Sequence, residues 1–109
     1  MPKRDADLLI EDIRTALARI ERYASGMRRE QFLADEKTID AVVRNLEIIG
    51  EAVRWLPPEF KERHRAIPWN QIAGLHNRIV HDYFGLDLEI IWEVLQTSLP
   101  EFKRQLETL

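Results

Sequence analysis

The chain has 109 residues, 45% apolar and 32% charged, which suits one soluble globular domain with one core. Sixteen basic and 19 acidic side chains leave a net charge of −3, which argues against a general nucleic-acid coat but not against a small local basic site. There is no cysteine, hence no disulfide and no thiolate metal site, and no apolar run nears the roughly 20 residues of a membrane span. The N-terminus, Met1-Pro2-Lys3-Arg4-Asp5, lacks a signal-peptide apolar core, so a cytoplasmic protein with no membrane contact is expected.

Leu9, Ile13, Leu17, Ile20 and Ala24 recur at steps of three or four from Asp5 to about Met27, predicting an amphipathic helix. Asp5 and Asp7 suit its positive dipole end, and Ser25-Gly26 marks its stop. Arg28 to Ala34 predicts a short helix anchored by Phe32 and Leu33. Asp35 suits the N-cap of the next helix, whose buried stripe is Ile39, Val42, Val43, Leu46, Ile49, Val53 and Leu56. Pro57-Pro58 stops it after about 21 residues, roughly 30 Å. A second, milder face of Ala41, Ile48, Ala52 and Trp55 predicts more than one neighbour, another subunit among them.

Lys61, Arg63, His64 and Arg65 form the most basic short run. Its ordinary reading is a solvated turn of helix. Its functional reading is a landing site for phosphates. Pro68 then leads into Gly74-Leu75-His76-Asn77-Arg78-Ile79-Val80-His81-Asp82-Tyr83-Phe84-Gly85. Ile72, Leu75, Ile79 and Val80 predict that this stretch is one amphipathic helix with Gly85 at its C-cap. On such a helix Asn77, Arg78 and His81 share a face, whereas His76 and His81, five apart, do not and make a poor metal pair. Asp87 suits the cap of the last helix, carried by Ile90, Ile91, Val94, Leu95 and Leu99, with a kink expected at Pro100 before Phe102, Leu106 and Leu109. No strand-like alternation is present. The expectation is an all-α bundle of four main helices plus short turns, in one domain spanning residues 1–109.

The 74–85 stretch resembles the signature of the HepT-like family of HEPN domains, Arg-(Asn or Asp)-x-x-x-His-x-Tyr. Asn77, His81 and Tyr83 match, and the likeness extends through Ile67-Pro68-Trp69, Phe84-Gly85-Leu86-Asp87 and Leu46 to Ala52. The motif's Arg position is His76 here, with Arg78 two residues on. The resemblance implies an up-and-down bundle, a homodimer and a metal-independent endoribonuclease toxin that needs no cofactor. His81 would move a proton, because its pKa lies near neutrality. An Arg would hold the scissile phosphate, and His76, Asn77 and Arg78 are the candidates around it. The resemblance also implies that a nucleotidyltransferase antitoxin attaches AMP to Tyr83. Lys61, Arg63 and Arg65 are candidate RNA-phosphate contacts, and Glu51 a candidate orienting carboxylate. The alternative is a HEPN dimer with weakened or lost catalysis, serving as a partner-binding or RNA-binding subunit. His76 favours that alternative; Asn77, His81 and Tyr83 favour the enzyme.

Overall fold

The computed structural model describes residues 5–81 and 85–109. Helix α1, Ala6–Ala24, begins where Asp5 Oδ1 accepts the Leu8 N–H at 3.0 Å, and ends at Ser25, followed by Gly26 at φ +73. That left-handed turn favours glycine. Leu9, Ile10, Ile13, Ala16, Leu17 and Ile20 form its buried stripe. A one-turn helix, α2 (Arg29–Leu33), inserts Phe32 fully into the core. Helix α3, Glu36–Trp55, starts at Asp35, whose carboxylate accepts the Thr38 N–H at 3.1 Å. That bond holds the Asp35 carboxyl below the usual carboxylate range. The expected cap at Asp35 and the stop at Pro57-Pro58 are therefore present, and Asp5, expected to suit the dipole end, also caps α1.

Helices α1 and α3 pack along each other as the principal pair. Val42, Leu46, Ile49 and Val53 of α3 meet Ile13 and Leu17 of α1 in the same buried cluster. Burying side chains of this kind contributes about 1.5–3 kcal/mol each before entropy is counted. After α3 come α4 (Pro58–Arg63), α5 (Trp69–Ala73) and α6 (Leu75–Ile79). A two-residue antiparallel pair follows, β1 (Val80–His81) with β2 (Gly85–Leu86), His81 lying opposite Gly85.

The last rod is α7 (Leu88–Glu93), a widened turn at Val94–Ser98, and α8 (Leu99–Leu106). Asp87 caps α7, its carboxylate accepting the Ile90 N–H at 3.1 Å. The expected kink at Pro100 takes the form of the widened turn just before it. There the Leu99 N–H reaches back five residues to the Val94 carbonyl. Pro100 has no N–H and sits in the first turn of α8, where that donor is not needed. Surface ion pairs lash the periphery: Arg29 to Glu89 between α2 and α7, and Lys103 to Glu21 at 2.9 Å between α8 and α1. The architecture is all-α, as expected. Among the described residues no helix is long and apolar enough to cross a membrane.

Candidate active site

The 74–85 stretch is not one helix. A turn at Gly74 separates α5 from α6, and α6 stops at Ile79. Two local causes and two distant ones produce this. Ile79 and Val80 are both β-branched, which favours extended backbone, and Val80 adopts φ −104, ψ 120. The Ile79 carbonyl then accepts the Asp87 N–H at 2.7 Å, drawing the chain back. At the Gly74 turn the Ala73 carbonyl accepts Arg54 Nη2 from α3 at 3.2 Å. The approach is close: a Cβ on Gly50 would lie 3.2 Å from the same carbonyl oxygen, so glycine lets the two segments meet.

This corrects the expected geometry of the motif. His81 lies beyond the helix, in β1, so the four-residue step from Asn77 does not place the two on one helical face. For the same reason the helical angle between His76 and His81 has no meaning here. Gly85 is not a helix C-cap. It stands in β2 at φ +82, a conformation that favours glycine, and Val80 closes α6 instead.

His76 is half-buried at the start of α6, and Asn77 and Arg78 are exposed beside it. Asp82, Tyr83 and Phe84 lie outside the described residues, so the expected modification site at Tyr83 does too. The Arg78 side chain makes no hydrogen bond or ion pair with any described residue, unlike Arg54, Arg65 and Arg104, each paired with a carboxylate. Among the described residues nothing occupies its guanidinium donors, which suit an anion.

Glu51 touches none of the motif side chains among the described residues. Its Oε1 accepts Arg54 Nη1 at 2.7 Å, and Arg54 in turn holds Ala73. Glu51 thus orients the residue that fixes the turn before α6. Arg54 escaped the sequence reading; its step of three from Glu51 was the available signal. The basic run is more engaged than its composition implied. Lys61 Nζ donates to the Val53 carbonyl at 3.4 Å near the end of α3. Arg65 pairs with Glu62 at 3.2 Å, and the Arg63 guanidinium lies 5.8 Å from the Phe60 ring centre. The His64 ring packs 4.7 Å from Phe60. Beneath the site, Trp69 donates its indole N–H to the His64 carbonyl at 3.2 Å and meets Phe102 edge-on at 6.1 Å.

An open groove of about 540 Å³ runs between the α5–α6 segment and the widened turn with α8, with Arg78 on its wall. Among the described residues no three His, Asp or Glu side chains gather where they could hold a metal ion.

Comparison with known proteins gives these residues a family. The family profile described as "Ribonuclease HepT-like" matches residues 13–109. The chain is 39% identical over 107 residues to "Probable ribonuclease HepT" of Thermococcus cleftensis, covering 98% of this chain and 97% of that one. It is 44% identical over 90 residues to "Putative RNase TTE0752" of Caldanaerobacter subterraneus subsp. tengcongensis, covering 83% and 80%. It is 37% identical over 109 residues to "Putative RNase MJ0127" of Methanocaldococcus jannaschii, covering 100% and 90%. No solved structure matches. The chain belongs to the HepT-like ribonuclease family.

Proposed function

We propose that this protein is an endoribonuclease that cuts RNA without a metal ion and acts as the toxin of a toxin–antitoxin pair. The family match across residues 13–109 carries the reading. The names of the relatives, a ribonuclease HepT and RNases, support RNA as the substrate. Asn77, His81 and Tyr83 at three motif positions support a working site.

RNA supplies its own nucleophile. The 2′-oxygen attacks the neighbouring phosphorus, the bond from phosphorus to the 5′-oxygen breaks, and a 2′,3′-cyclic phosphate and a free 5′-hydroxyl result. His81 takes the 2′-hydroxyl proton, and the departing 5′-oxygen takes a proton from water. The guanidinium of Arg78 meets the charge growing on the phosphoryl oxygens through charge-assisted hydrogen bonds, and Asn77 donates a further one. His76 occupies the motif's Arg position with a ring that is only partly charged near neutral pH and lacks the guanidinium fork. The exposed Arg63 and Arg65, with Lys61 behind them, add attraction for the RNA backbone.

His76 is also the observation that favours a second reading, a non-catalytic HEPN dimer that binds RNA or a partner. RNA cleavage in EDTA separates the two. Wild type should cut, and His76→Arg should cut faster, on the order of tenfold, because a permanent bidentate cation replaces the ring. If both are inert while folded, the second reading stands.

The antitoxin in this proposal is a nucleotidyltransferase. The Tyr83 phenol oxygen attacks the α-phosphorus of ATP, pyrophosphate leaves, and the added anion blocks the RNA site. Coexpression with such an enzyme should add the mass of AMP, and Tyr83→Phe should lose it. AMP addition undiminished in that variant would move the site elsewhere.

The working unit is a homodimer. Trp55, at the end of α3, is 53% exposed, and a large aromatic surface there suits an interface. Light scattering should return about twice the 12.9 kDa chain mass. A monomer at micromolar concentration would sink the dimer.

A further inference from the structure

The groove beside Arg78 has a chemistry of its own. Its volume, about 540 Å³, falls within the roughly 300–1,000 Å³ usual for small-molecule sites. Asn70, Gln71 and Arg78 line it from the α5–α6 side, and Thr97, Glu101 and Gln105 from the widened turn and α8. Widened turns of this kind recur at functional sites. The groove therefore offers one cation with no described partner, three amides, the hydroxyls of Thr97 and Ser98, and a carboxylate. Arg104 engages one oxygen of Glu101, which leaves the other to accept from an occupant.

Resting on the ribonuclease reading, we infer that this groove is a base-binding subsite for a nucleotide next to the scissile phosphate, and that it selects guanine over uracil. An occupant here needs an anionic group for Arg78 and a donating edge for Glu101. A nucleotide has the first in its phosphate. Guanine supplies the second, because its N1–H and N2 amino group stand side by side and both donate. Uracil flanks its single N–H with two carbonyl oxygens, which a carboxylate repels. The amides of Asn70, Gln71 and Gln105 both donate and accept, so they serve any base edge and leave the choice to Glu101. Sequence preference in RNA recognition comes from such contacts to unpaired base edges. Arg78 acts on the phosphate and gives no preference among bases.

The test is binding of GMP and of UMP to the full chain by titration calorimetry, with no cleavage required. GMP should bind about tenfold tighter than UMP. Glu101→Gln should shrink that gap to about twofold or less, since an amide can donate to a uracil carbonyl as readily as it accepts from guanine. Arg78→Ala should weaken both nucleotides alike. Thr97→Trp, which fills the groove from an exposed position, should abolish both, with circular dichroism confirming the fold of every variant. Equal affinities, a guanine preference that survives Glu101→Gln, or no binding of either nucleotide would overturn the subsite. RNA cleavage measured separately tells the two ideas apart. A chain that cuts RNA but binds GMP and UMP equally keeps the ribonuclease and loses the subsite. A chain that prefers GMP but cuts nothing does the reverse.

Discussion

His81→Ala should abolish RNA cleavage, lowering kcat by roughly 10²–10⁴-fold, the range for loss of a general acid or base. KM should change little, because the imidazole handles a proton rather than holding the substrate. Its backbone sits in β1 opposite Gly85, and that pairing uses main-chain groups that the substitution leaves in place. The fold should therefore survive, and single-turnover cleavage with matched circular dichroism is the measurement. Retention of more than a tenth of wild-type kcat would remove His81 from the proton-transfer step.

Phe102→Ala should give the largest loss of stability, about 3–5 kcal/mol, as expected for an aromatic ring deleted from a close-packed core. Phe102 is 1% exposed and lies edge-on to Trp69, with ring centres 6.1 Å apart. Trp69 opens α5 and also faces Phe60, at 6.2 Å. The ring thus supports the segment that carries the motif, and its loss should lower Tm by roughly 12–25 °C for a chain of this size. Thermal unfolding followed by circular dichroism checks it. A shift below about 5 °C would mean that the core closes over the cavity and that Phe102 is not a keystone of this packing.

The contrast between these two residues shows what the sequence carried and what it did not. Phe102 belongs to a stripe whose spacing is visible in the chain, and the same holds for the stripes of α1 and α3. The caps at Asp35 and Asp87 were equally visible, because a cap is a contact across three residues. The identity of the motif residues was legible in the same way. Their arrangement was not. The turn at Gly74 is held by Arg54, 19 residues away, and the end of α6 by the Asp87 N–H reaching Ile79. A periodicity of Ile72, Leu75, Ile79 and Val80 contains neither partner, so it extrapolates a helix through His81. The role of Glu51 was hidden for a related reason: it acts through Arg54 rather than on the motif.

The widened turn at Val94–Ser98 bears on which changes in chain length the molecule tolerates. Val94 and Leu99 are both buried although they stand five residues apart. In a uniform α-helix five steps of about 100° would leave them roughly 140° out of phase. The turn absorbs that extra residue and returns α8 to the phase of α7. Removing one residue between them would bring Leu99 to the ordinary step of four and keep Phe102 and Leu106 facing inward. Adding one would rotate the whole of α8 and turn that stripe toward water. Length variation in this rod is therefore one-sided: the molecule can lose a residue here more cheaply than it can gain one, and what a loss would reshape is the wall of the groove that faces Arg78.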